Sequence, residues 1–245
     1  MVLSDLPQGE NQGRFCGEGM FNIFSRRYRT SVLRFGVLTF LSFILVIMFF
    51  CSAYSGTGAE EVMSRLQSTY SNVKDVTMQF SQTSAIQGFE EKVFSGTLYV
   101  KKPELMRWDY LKPVKQSVFV GDKKMILYMP EQKQAIVQNI SDHPDAEPAM
   151  GLLSNIDRWK EIFTFKAEGE TPESYRIELR PKTMFFVEKV TVDINRKSSY
   201  ITSLILFEKS GSKVSFVFSG IETNKGLKDS LFNFKAPKGT EVLEY

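Results

Sequence analysis

Histidine and cysteine are almost missing from this chain of 245 residues, and each absence removes a class of chemistry. Both cysteines, Cys16 and Cys51, fall in the first 59 residues, so the remainder has no disulfide, no thiolate nucleophile and no cysteine metal site. His143 is the single histidine. It stands beside Pro144 and Asp145 in a loop pattern, whereas a triad or a transition-metal centre needs a histidine with fixed partners, and it reads as an exposed loop residue. A Gly-rich phosphate loop, a Gly-x-Ser-x-Gly elbow and a His-Glu-x-x-His motif are also missing. The adjacent acids Glu60-Glu61 and Glu90-Glu91 fall at a helix start and in a loop, where solvated charge is the ordinary reading. A glycosidase would need two carboxylates facing one cleft. The expectation is a protein that is not an enzyme and uses no metal or cofactor.

Charge of one sign is scarce as well. The formal net charge of +3 comes largely from the start of the chain, because residues 60–245 carry 26 basic and 25 acidic side chains. Such a balance is no argument for nucleic acid as a partner. Arg26, Arg27, Arg29 and Arg34 lead into an apolar run over 35–50, the n-region and h-region of a secretory signal. Cleavage after Ala53 or Ala59 meets the small-x-small requirement. An uncleaved anchor is the alternative, since the run approaches the ~18 to 20 apolar residues that span a bilayer. Lipid attachment at Cys51 is a third reading, disfavoured by Phe49 and Phe50 where such sites carry small residues. The stretch before Arg26 is long for an n-region, which makes Met20 a second candidate start. The predicted organisation is an extension and signal over 1–59 and one domain over 60–245.

What the domain has is alternation. A short amphipathic helix is predicted over 60–70, with Val62, Met63, Leu66 and Tyr70 at helical spacing. Strand patterns follow at 75–83, 92–101, 105–110, 116–120, 124–129 and 134–139, separated by turn chemistry such as Gly121-Asp122 and Pro130-Glu131. The pattern breaks over 141–156, where Pro148 leads into a short apolar helix at 149–153. Strands resume at 162–166, 175–180, 185–194, 200–207 and 213–221, and a tucked turn precedes a last strand at 240–243. Short connections imply antiparallel pairing. About eleven such strands cannot stay flat, so they curl into a barrel or an incomplete one, with the two helical segments as the only cover for its inner face.

The segment 96–110 joins two of these strands through the corner Lys101-Lys102-Pro103. Proline confines that corner to a strand end or edge. If alternation survives it, Leu98, Val100, Lys102, Glu104, Met106, Trp108 and Tyr110 share a face, placing one cation on a mostly apolar surface. That combination fits an apolar ligand with a polar end. Thirteen phenylalanines and seven methionines beyond residue 59 either fill a core or line an adaptable apolar site. The candidate ligand-facing residues are Met78, Phe80, Leu98, Val100, Lys102, Met106, Trp108 and Leu127 on the sheet, with Met150, Leu152 and Leu153 on the covering segment.

Several short motifs occur together in order. They are Gln79-Phe80-Ser81-Gln82, the 96–108 segment with its Lys-Pro corner, Gly121-Asp122-Lys123 leading into Tyr128 and Pro130, Pro148 before Leu152-Leu153, and the ending 234–242. In these the chain resembles the periplasmic outer-membrane lipoprotein carrier family, LolA. The resemblance implies an eleven-stranded, unclosed β-barrel with helices as a lid over a hydrophobic cavity. It also implies a monomeric periplasmic carrier of acylated lipoproteins, taking them from an inner-membrane ABC transporter and handing them to an outer-membrane receptor. By the same resemblance Lys102 and Pro148 form the lid latch, Met106 matches a position tied to cargo uptake, and Pro148, Met150, Leu152 and Leu153 match the lid helix. The family commonly has Arg where this chain has Lys102, and lysine lacks the planar fork for bidentate bonding. Alternative functions on the same fold are an outer-membrane lipoprotein receptor and a lipoprotein-sensing regulatory domain.

Overall fold

A computed structural model describes residues 58–140, 152–183 and 186–245. Residues 1–57 of the predicted extension and signal, His143, Pro148 and Met150 lie outside the described residues. Helix α1 (Ala59–Ser71) opens with Glu60 and Glu61 in its first turn, where carboxylates complement the helix dipole, and buries Val62, Met63, Leu66 and Tyr70 along one stripe. Each of those side chains contributes roughly 1.5–3 kcal/mol by leaving water.

The strands are β1 (Asp75–Ala85), β2 (Lys92–Lys101), β3 (Leu105–Lys112), β4 (Gln116–Gly121), β5 (Lys124–Met129) and β6 (Gln134–Asn139). A 3-10 turn (Ile156–Arg158) and the one-turn helix α2 (Trp159–Ile162) precede β7 (Phe163–Glu170), β8 (Ser174–Pro181), β9 (Val187–Asn195), β10 (Ile201–Glu208) and β11 (Lys213–Thr223). A second 3-10 turn (Asp229–Leu231) and β12 (Glu241–Glu244) end the chain. All twelve form one curved, unclosed sheet in the order β12-β6-β5-β4-β3-β2-β1-β11-β10-β9-β8-β7. The seam β1–β11 joins the start and end of the chain, with Phe80 opposite Phe218.

Two expectations change. The sheet has twelve strands where about eleven were predicted, and β12 pairs with β6 in parallel, Val242 opposite Ala135, while every other neighbour is antiparallel. The reason is the route of the tail: from β11 it crosses the outside of the sheet to reach the far edge, so it meets β6 without a hairpin. The strand pattern from Ile162 begins one residue later, because Ile162 closes α2. Leu152 and Leu153 lie in a turn.

Local sequence explains the tight places. The β4–β5 hairpin places Asp122 and Lys123 at φ 50° and 59°, the left-handed pair that a two-residue type I′ turn requires. Gly96 is needed for close approach: a Cβ there would lie 1.9 Å from the Asp109 carbonyl oxygen and 2.9 Å from the Phe80 ring. The Lys102–Pro103 peptide is cis.

Candidate functional site

One face of the sheet is continuous with α1 in a single apolar cluster, and it carries the candidate site. Register sets its rows. Met78, Leu98, Trp108, Val118, Leu127 and Ile136 stand opposite one another across six strands. Val76, Val100, Met106, Val120 and Met125 form the next row. Side chains alternate along each strand, so both rows share the inner face.

Burial divides these residues. Met78, Phe80, Leu98, Val100 and Met106 are each under 5% exposed, so they form the floor beneath α1. Trp108, Val118 and Leu127 are half-buried, as are Tyr110 and Phe216, and these present apolar surface to whatever lies above. Leu152 is buried and Leu153 half-buried, and the indole N–H of Trp159 donates to the Leu152 carbonyl at 2.8 Å.

The half-buried part is aromatic. The Phe80 ring lies 5.0 Å from Trp108 and 5.1 Å from Tyr110, both edge-on, and Trp108 lies 5.3 Å from Phe216. Such edge-to-face contacts add ~0.5–1.5 kcal/mol each beyond area burial. Gly96 makes the arrangement possible by leaving room for Phe80. The Tyr110 hydroxyl donates to Gln82 Oε1 at 2.9 Å, and burial pushes its pKa up to about 12, so it remains a neutral phenol. Phe216 and Tyr110 were absent from the candidate list. The alternation Val214, Phe216, Phe218 was the available signal for the former.

Lys102 occupies the other end of this face. Its Nζ donates to the Tyr70 carbonyl at 2.9 Å and lies 3.5 Å from Asp157 Oδ1, joining the sheet to the last turn of α1 and to the 3-10 turn. An ammonium at a helix C-terminus complements the dipole there. Tyr70 is itself fixed: the Ile201 N–H donates to its hydroxyl at 3.2 Å, and burial raises its pKa to about 12. Further ties hold the helical pieces together, Gln67 Nε2 to the Asp157 carbonyl at 3.1 Å and Lys160 to Glu60 at 3.1 Å. The structure therefore places the sheet candidates on one face with Lys102 at its end, and Leu152 and Leu153 in a turn that packs with the same cluster.

The outer face of β3–β6 has its own cover. Phe119, Ala135, Val137 and Phe232 are buried apart from the main cluster, and Phe234 lies 5.4 Å from Phe119 and 5.2 Å from Tyr128. Arg107 donates to the Leu231 carbonyl at 3.0 Å and packs over the Phe119 ring. Lys101 donates to the Leu227 carbonyl at 2.7 Å and pairs with Asp229.

Chemically, this arrangement is a half-open apolar surface with one cation at its end. A family model described as outer membrane lipoprotein carrier protein LolA matches residues 71–235, a span that holds β1–β11 and the tail up to Phe234. An outer-membrane lipoprotein carrier protein from Pseudomonas putida (strain GB-1) is 26% identical over 194 residues, covering 79% of this chain and 91% of its own. Another from Azotobacter vinelandii (strain DJ / ATCC BAA-1303) is 27% identical over 192 residues, covering 76% and 89%. Among solved structures, an uncharacterized conserved protein from Thermus thermophilus superposes with a TM-score of 0.51 at 12% identity, covering 76% of this chain and 99% of its own. That last likeness is one of fold.

Proposed function

Because the chain belongs to the outer membrane lipoprotein carrier protein LolA family, we propose that it binds the acyl chains of lipoproteins on its inner face and carries them across the periplasm. In this reading an inner-membrane ABC transporter loads it and an outer-membrane receptor unloads it. Residues 60–245 are the carrier domain, freed by cleavage of the signal. The observation that supports this most is the half-buried row Trp108, Val118 and Leu127 with Tyr110 and Phe216, apolar surface left over after α1 has packed. Acyl chains need such cover: at ~0.8 kcal/mol per CH₂, three chains of about 15 methylenes would cost roughly 35 kcal/mol to expose, as an upper bound.

In the same reading α1, the segment 148–153 and the 156–162 segment act as a lid over a hydrophobic cavity. Lys102 is its latch, with Pro148 shaping the lid segment. Opening requires Lys102 to release the Tyr70 carbonyl and Asp157, and a lysine lets go more readily than a bidentate arginine. Met78, Phe80, Leu98, Val100 and Met106 would then come within reach of cargo.

The direct test incubates the protein with a triacylated lipoprotein in detergent, dilutes the detergent and looks for a soluble complex by gel filtration. A stoichiometric complex is expected. Aggregation of the lipoprotein regardless of the protein would defeat the reading. In the same assay Lys102→Arg is expected to release cargo more slowly than wild type, and equal or faster release would remove the latch.

A further inference from the structure

Among the described residues, five of the nine exposed large apolar side chains lie at one end of the sheet. The strands alternate in direction, so the connections β3–β4, β1–β2, β10–β11 and β8–β9 all meet at one end of the sheet. They touch there: the Gln87 N–H lies 3.5 Å from Ser212 Oγ, and the Lys209 N–H donates to the Phe186 carbonyl at 2.9 Å. This rim exposes Ile86, Phe89, Leu111, Val114 and Phe186, with Phe89 at 76% and Phe186 at 68%. Leu111 is the extra residue of a bulge between the Ser95–Lys112 and Gly96–Tyr110 pairs, which turns it off the ladder. At the opposite end of the sheet the described connections expose no large apolar side chain, and Tyr245, after β12, stands there alone. Single exposed apolar residues need no explanation, but five on one rim do.

Lysines stand among them. Lys92, Lys112, Lys115, Lys209 and Lys213 belong to the same connections or their flanks, and none is in an ion pair among the described residues. The acids of these four connections and their flanks are Glu90, Glu91, Glu188 and Glu208, and the β5–β6 connection at the same end adds Glu131 with Lys133. From β4 to β8 the sheet runs about 34 Å, at ~4.8 Å per strand spacing. Apolar tips on separate hairpins over that breadth suit an extended surface, not a pocket. Phenylalanines that reach the acyl boundary while lysines reach phosphates are the composition of an interfacial binder.

We propose that this hairpin rim docks on an anionic lipid bilayer, with Phe89 and Phe186 entering the headgroup boundary and the five lysines facing lipid phosphates. The docking rests on the rim alone, so it stands or falls separately from what the inner face carries. The test places a reporter on the rim of the full chain, Phe89→Trp or Phe186→Trp, and adds vesicles of brominated lipid with about 30 mol % phosphatidylglycerol. Wild type read in parallel gives the response of Trp108 and Trp159, so the difference reports the substituted position and lipid taken up on the inner face is subtracted. At least a twofold drop of the added emission is expected. It should vanish with pure phosphatidylcholine, in about 0.5 M salt, and when Lys92, Lys112 and Lys115 are changed to Glu. Val217→Trp, on the outer face of β11, should stay unquenched. Rim tryptophans that remain unquenched by anionic vesicles overturn the proposal. So does protection of those tryptophans only by membrane proteins and not by lipid, which would make the rim a protein interface.

Discussion

The two halves of the sheet solve the same packing problem in opposite ways. On the β8–β9 side the inner face is shut: Ile177, Leu179, Val190, Val192 and Ile194 are at most 1% exposed. On the β3–β5 side Trp108, Val118 and Leu127 keep part of their surface. The outer faces differ too. Behind β7–β9 lies a charge network in which Glu178, 3% exposed, meets Lys189, Lys166 and Arg180 at 3.1, 3.2 and 2.8 Å, beside the bidentate pair of Arg176 and Asp193. Behind β3–β6 lies the tail with Phe232 and Phe234. One half is a wall closed by its own side chains, and the other is a panel that borrows cover from distant chain. A fold with both can keep its shape while leaving apolar surface available.

The contrast is sharpest in stability. Leu179→Ala should cost about 3–5 kcal/mol by opening a cavity in the closed wall. Denaturant unfolding would read it, and a loss below ~1 kcal/mol would show that this half is not rigidly packed. Phe232→Ala should cost about 3 kcal/mol by loosening the tail. If the tail is only a cover, the main core keeps its amide protection in hydrogen exchange while β4–β6 loses some. Protection lost evenly over all strands would break the distinction between halves.

Glu178→Gln should cost about 1 kcal/mol at neutral pH, a modest figure because Lys166 and Arg180 are at least half exposed. Burial pushes the Glu178 carboxyl up, but hydrogen bonds from Lys189, Lys166 and Arg180 outweigh it and bring the pKa from 4.5 down to about 2. A depressed carboxylate contributes stability that is complete above its unfolded value near 4.5 and is lost as pH falls through about 2. The gap in melting temperature between wild type and variant should therefore close across that window. A gap that persists at its acid end would mean that the charge is not what holds β8. Smallest of all, Leu127→Ala should cost about 1 kcal/mol or less, because its side chain keeps part of its surface in water and leaves no closed cavity when removed. A larger loss would mean that the open panel is core after all.

Alternation made the strands legible, and parity across the Lys101-Lys102-Pro103 corner correctly grouped Leu98, Val100, Met106 and Trp108 on one face. These signals are local, carried by residues two apart. The partners of Lys102 were not legible, since Tyr70 and Asp157 lie 32 and 55 positions away. Nor was the burial that separates floor from exposed strip, because it depends on where α1 settles. The parallel β12 escaped for a similar reason: four residues show a strand but not the edge they reach. Trp159 and Ile162 sit in a helix of one turn, too short for a period to register.

The seam between β1 and β11 has a consequence for how the molecule is made. Asp75 accepts backbone N–H bonds from Lys225, Gly226 and Leu227, some 150 positions further on. Phe80 likewise waits for Phe218. A chain built from its N-terminus can form the β1–β6 meander early, yet the middle of its sheet stays unpaired until nearly the last segment arrives. Contacts of such sequence separation slow folding, and the unsatisfied strand edge stands open in the meantime. The growing polypeptide therefore carries an open strand edge in the middle of its sheet until β11 has been made.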